Sequence, residues 1–196
     1  NLSLIEISHR SKDFISIMES ARSLSIDLLG LDKNAYTSLF LQGGASTQFL
    51  MIAYNFLRNK AGYINTGTWS VKAMKEAQLF GKVHELGSSE DKNFNYIPKD
   101  YEISNHMDYF HVTSNNTIFG TQIKDFYKGN VPLACDMSSD IFSRKIDIKN
   151  FDLIYAGAQK NMGPAGTTLY IFNKDILGKS SVPIPTMLDL NTHSEK

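Results

Sequence analysis

Along residues 11–29 the apolar side chains Phe14, Ile15, Ile17, Met18, Ala21, Leu24, Ile26, Leu28 and Leu29 recur at roughly helical spacing. That period predicts a long amphipathic helix, with Gly30 placed to stop it. Downstream the pattern changes to short apolar runs between polar turns. Ser38–Leu41 reads as a buried strand, Gly43-Gly44 as a turn and Thr47–Leu57 as a helix. The alternation repeats with a strand at Gly62–Asn65, a helix over about Ser70–Phe80 and a strand near Lys82–Leu86. After a polar stretch at 87–104, read as irregular loop, strands are expected at Tyr109–Thr113, Leu133–Cys135, Leu153–Tyr155 and Thr167–Phe172. Strands alternating with helices predict an α/β fold with a mostly parallel sheet. Such open sheets bind ligands just past the carboxyl ends of their strands, where several of the polar residues below fall.

Two of these residues carry the most chemistry. Asp136 ends the run Val131–Cys135, and Lys160 follows the run Leu153–Gly157. A lysine amine can form a Schiff base with an aldehyde cofactor, and a carboxylate facing a pyridine nitrogen keeps that ring protonated and electron-withdrawing, so the pair suggests a pyridoxal-phosphate (PLP) site. Taken singly, each has a plainer reading, a solvated surface lysine and a turn-forming aspartate. Ala45 and Ser46 follow Gly43-Gly44 at a helix start, where unpaired amides and the helix dipole favour an anion; an ordinary glycine turn with a serine cap is the alternative. Trp69 follows the small-residue turn Thr66-Gly67-Thr68, with core packing as its fallback. Arg10 precedes a helix, where a cation faces the unfavourable end of the dipole, and its fork suits a carboxylate held bidentately. A solvated surface arginine, with a structural His9 beside it, is the alternative there.

Read together, Ile7–Lys12, Leu39–Phe49, Asn65–Ser70, Thr113–Ile118, Val131–Asp140 and Leu153–Gly166 occur in an order that resembles the phosphoserine aminotransferase family, in class V of the aminotransferases. The resemblance covers nearly the whole chain. It implies the large domain of a fold-type I PLP-dependent transferase, a mainly parallel seven-stranded-type sheet flanked by helices. It implies PLP as cofactor, joined to Lys160, with Asp136 at the ring nitrogen. Ala45, Ser46 and Gln159 are then expected at the phosphate, Trp69 stacked on the ring and Thr117 donating to the ring oxygen. Arg10, accompanied by His9, is expected to bind the substrate α-carboxylate. The implied reaction is transamination between L-glutamate and a phosphorylated 2-keto acid, 3-phosphohydroxypyruvate, giving O-phospho-L-serine and 2-oxoglutarate in serine biosynthesis, with a related role in pyridoxine biosynthesis in some bacteria. A homodimer with a shared active site is implied as well. Residues 1–180 are expected to form the large domain and 181–196 the start of a connection to an absent small domain. Two other readings stay open: a class V lyase or desulfurase, or a truncated, catalytically incomplete fragment. Cys135 is the residue a desulfurase would need, but it sits inside an apolar strand and is expected to point away from the cofactor. Desulfurases commonly carry histidine where this chain has Gln159.

Composition narrows the partners. Lys+Arg 20 against Asp+Glu 20 leaves no net charge, so neither nucleic acid nor an acidic membrane is expected as a general partner. The single cysteine rules out an intramolecular disulfide and favours a reducing cytoplasm. No apolar run approaches the roughly 20 residues of a membrane span. No metal site is read.

Overall fold

The computed structural model describes residues 3–178 and 182–195. The expected domain boundary between Ser180 and Ser181 lies outside the described residues. The amphipathic stretch forms α1 (Lys12–Leu28), capped by Ser11, whose Oγ accepts from Phe14 N at 3.3 Å. It stops where expected, the Gly30 N–H bonding Asp27 O at 3.0 Å. Then come β1 (Tyr36–Gln42), α2 (Ala45–Phe56), β2 (Lys60–Asn65), α3 (Thr68–Ala77), β3 (Lys82–Ser88) and β4 (Tyr109–Thr113). A small hairpin of two-residue strands, β5 (Asn115–Asn116) and β6 (Thr121–Gln122), lies beyond the strands that the pattern predicts. The chain continues through β7 (Leu133–Asp136), β8 (Leu153–Gly157), β9 (Thr167–Asn173) and a short α4 (Leu190–Ser194). Apart from the end of β3 and one 3-10 turn at Glu90–Lys92, the 87–104 stretch carries no regular structure, as expected.

Seven strands form one sheet in the order β1-β9-β8-β7-β4-β2-β3. The four pairings from β8 through β3 are parallel, whereas β9 runs antiparallel to both β8 and β1. The link explains the reversal: only residues 158–166 join β8 to β9, and a parallel return needs a crossover of about a dozen residues or more.

Period-two alternation gives the sheet two unlike buried faces. On one, Tyr63, Tyr109, Ala134, Tyr155 and Tyr170 pack against Phe49, Ile52 and Ala53 of α2 and Ala73, Met74 and Ala77 of α3. On the other, Ile64, Phe110, Leu133, Cys135, Ile154 and Ile171 pack with Ile26 of α1 and with Ile141 and Phe151. The sheet is thus the middle layer of three. The last described segment returns to the first face: Asn55 of α2 donates to Leu188 O at 2.6 Å and accepts from Leu190 N at 3.0 Å. No helix among the described residues is long and apolar enough to cross a membrane.

Candidate active site

The parallel register brings three strand ends to one edge of the sheet. Thr113, last in β4, is the pairing partner of Asp136, last in β7, and β8 ends beside them at Gly157. A cleft opens above this edge, lined by Gly44, Ala45, Trp69, Asp136, Gln159 and Lys160 among others.

Asp136 lies on the cleft floor, 4 % exposed. One of its oxygens, Oδ1, accepts from Ser138 N at 2.9 Å and Ser138 Oγ at 2.6 Å. The first contact is the Asx-turn bond that aspartate favours after a strand. Burial raises the carboxyl above its ordinary range, and the Ser138 bonds and the nearby Lys160 charge oppose that rise.

Lys160 sits in the short link between β8 and β9. That link is tightened by Ala158 O, which accepts from Met162 N and Gly163 N at 2.9 Å each. It is also tied to the turn before α2, with Gly43 N bonding Gly166 O at 2.9 Å and Thr168 Oγ1 bonding Gly43 O at 2.9 Å. Gly43 is required in that turn: its φ is +95°, and a Cβ there would fall 2.6 Å from Thr47 Oγ1. The Lys160 Nζ lies 3.4 Å from Thr117 Oγ1 and 5.0 Å from the centroid of the Trp69 ring. Thr117 is carried on the β5–β6 hairpin, which the loop after β7 anchors. There Asn115 Nδ2 donates to Ser139 Oγ at 2.9 Å, and buried Asp140 accepts from Gln122 Nε2 at 3.0 Å and from Ser114 Oγ.

Trp69 is set by the start of α3, where Ser70 Oγ accepts from Thr66 N at 3.0 Å and Gly67 N at 3.1 Å. A Cβ on Gly67 would collide with the Asn116 amide, so a side chain at that position would displace the hairpin. Ala45 and Ser46 open α2 directly after Gly44, which offers no side-chain cap, leaving the first amides of a 12-residue helix facing the cleft. The expected helix start at Thr47 is two residues late.

Six of the expected site residues, Ala45, Ser46, Trp69, Asp136, Gln159 and Lys160, line this one cleft, and Thr117 reaches it through Lys160. His9 and Arg10 are exposed on the segment before α1 and do not line it. The cleft also holds Thr113, which ends β4, Asn115, which opens β5, and Ser138 and Ser139, which follow β7; all four lie within the motif segments but are not singled out by them. Cys135 is fully buried among aliphatic side chains on the opposite face from Asp136, and burial drives its thiol pKa well up. Two buried atoms on the cleft wall, Thr113 Oγ1 and Trp69 Nε1, have no hydrogen-bond partner among the described residues. Unpaired buried polar atoms are uncommon, and these two belong to residues that line the cleft. A helix N-terminus for an anion, an aromatic wall, a buried carboxylate and a free amine together fit a flat, phosphorylated aldehyde.

Comparison with known proteins agrees with this geometry. The chain is 61% identical over 194 residues to the phosphoserine aminotransferase of Flavobacterium johnsoniae, covering 98% of this chain and 54% of that protein. Its fold superimposes on phosphoserine aminotransferase from Bacillus circulans subsp. alkalophilus with a TM-score of 0.94 at 45% identity, covering 99% of this chain and 55% of that one. The PLP-bound phosphoserine aminotransferase from Trichomonas vaginalis matches with a TM-score of 0.90 at 32% identity, covering 99% and 56%. The chain therefore spans about half the length of the relatives it matches. The class-V aminotransferase family model matches residues 3–186, and on that match the chain belongs to the class V aminotransferases.

Proposed function

We propose that this chain forms the PLP-binding part of a phosphoserine aminotransferase, moving an amino group between L-glutamate and 3-phosphohydroxypyruvate. The observation that carries the reading is the placement of Lys160, Asp136, Trp69 and Thr117 around one cleft, with the amides of α2 at its rim. The identity to phosphoserine aminotransferases supports the substrate class.

When bound, PLP supplies an electron-withdrawing ring that stabilises negative charge at the substrate α-carbon. The protein's residues make that possible. Asp136, ionised opposite the ring nitrogen, favours a proton there, and the pairing of opposite charges counters the burial that otherwise neutralises the carboxyl. Trp69 restrains one ring face. Thr117 would supply a hydroxyl to the ring oxygen, while Ala45, Ser46 and Gln159 would hold the phosphate. Lys160 would hold the cofactor, and its released amine would move the proton between the substrate α-carbon and the cofactor C4′ as general base and acid. Arg10, on the exposed segment before α1 and outside the cleft wall, would with His9 bind the substrate α-carboxylate through its fork once that segment closes on the substrate. The enzyme works as a homodimer in the cytoplasm, with each site shared between subunits; the single cysteine is consistent with that compartment. A desulfurase would need an accessible thiolate, and Cys135 lies behind the strand with its thiol protonated.

The test is a paired assay, glutamate-dependent amination of the phosphorylated keto acid against sulfide release from cysteine. The proposal predicts the first activity only, lost in Lys160→Ala and retained in Cys135→Ala. Sulfide release that depends on Cys135 would overturn it.

A further inference from the structure

We propose that Ser138 is a positioning residue that commits one oxygen of Asp136 to the protein and presents the other to the ligand. The proposal rests on the PLP reading above. A carboxylate rotates about a broad, two-fold torsion, so burial alone does not decide which oxygen faces the cleft. Ser138 decides it. Its N–H and its Oγ both donate to Oδ1, at 2.9 and 2.6 Å. Oδ2 takes no hydrogen bond from any described residue and is left for the cleft.

The same hydroxyl also fixes a spacing. Ser138 Oγ accepts from the backbone N–H of Gly157 at 3.0 Å, and Gly157 ends β8 three residues before Lys160. The bond from Met137 N to Tyr155 O, 2.9 Å, extends the β7–β8 ladder past the end of β7 and holds the Ser138 backbone against β8. One side chain thus joins the carboxylate at the ring-nitrogen side of the cleft to the strand end that carries the lysine. Ser138 is 6 % exposed, so its hydroxyl is bonded to the protein rather than to bulk water. Its removal would leave both a buried carboxylate oxygen and a buried N–H short of a partner, and bonds to a charged group are the stronger kind.

The consequence is specific to the ring nitrogen. A residue that merely filled space would weaken any ligand of this shape equally. Trp69, the only tryptophan of the chain, lines the cleft and reports binding by fluorescence without any turnover. The affinity of the purified protein is measured for PLP and for its deaza analogue, in which CH replaces the ring nitrogen. The wild type is expected to prefer PLP. Ser138→Ala should lower PLP affinity about 10-fold while leaving the analogue within about two-fold, and Ser138→Thr, which keeps the hydroxyl, should recover most of the preference. If Ser138→Ala does not fold, Ser138→Cys, of similar size but a poor donor and acceptor, is read the same way. Equal weakening of both ligands, or no weakening, overturns the positioning role. An Asp136→Ala variant that discriminates as the wild type does, or a wild type that binds neither ligand, overturns the PLP reading itself.

Discussion

The two faces of the central sheet are made by the same strands but bury different chemistry. On the face covered by α2 and α3, Tyr63, Tyr109, Tyr155 and Tyr170 carry hydroxyls into the core, and His111 joins them. Tyr63 and Tyr109 share a bond of 2.7 Å, His111 Nε2 pairs with Tyr155 OH at 2.9 Å, and the His111 ring stacks on Tyr63 at 4.8 Å. On the other face the inner strands present Ile64, Phe110, Val112, Leu133, Cys135, Ile154, Leu169 and Ile171, none with a hydroxyl, and the hydroxyls of Tyr36 and Ser38 are confined to the edge strand β1. Only the first face ends in Asp136 and the cleft. Burial pushes its tyrosine pKa values up and lowers that of His111 to about 3, so these groups stay uncharged while Asp136 keeps the option of ionising. The difference separates a face specialised for a ligand from one specialised for packing.

The largest break in that contrast comes from the ligand side. Under the proposed function, Lys160→Ala should lower transamination by about 10³-fold or more, since it removes the group proposed to transfer the proton. Circular dichroism and melting should be close to wild type, because Lys160 is exposed.

Asp136→Asn should separate function from stability. Burial holds the Asp136 carboxyl above its usual range, so the folded state binds that proton more tightly than the unfolded chain. The stability it contributes is therefore present at low pH and is lost as pH rises through the raised value. Asparagine does not ionise, so the variant without ligand should be more stable than wild type at pH 7 and should lose the advantage near pH 3, while activity falls about 10²-fold. Urea unfolding at the two pH values checks the sign.

His111 should act in the opposite direction. Its folded pKa is about 3, against an ordinary value near 6.5, so the unfolded chain takes up a proton first as pH falls between them. Stability is full above about 6.5 and should decline by up to about 1.4 kcal/mol per pH unit below it. His111→Phe should flatten that acid limb, at some cost from the unpaired Tyr155 hydroxyl. The smallest effect should come from the packing face. Cys135→Ala should cost about 1 kcal/mol of stability and leave PLP affinity unchanged.

Much of the cleft was legible because its residues occupy positions that the pattern marks. Asp136 and Lys160 follow strand-like runs, and Ala45, Ser46 and Trp69 follow glycine-containing turns. Ser138 was not legible: its role depends on a side chain folding back two residues and on Gly157, a neighbour only through β7–β8 pairing. Thr113 likewise acquires meaning from its register with Asp136. The reversed β9 escaped because an apolar run does not encode strand direction, whereas the link before it does. Two-residue strands such as β5 and β6 have no period to detect, and α2 was started late because Ala45 and Ser46 add nothing to an apolar stripe. Arg10 was singled out by its motif, and it sits exposed on the segment before α1.

The most direct test of the central claim is borohydride reduction of the purified protein with PLP, followed by mass mapping of the modified peptide. The account predicts a near-visible absorption band that reduction removes, with the label on Lys160 and no label in Lys160→Ala. No band, or a label fixed on another lysine, would contradict it.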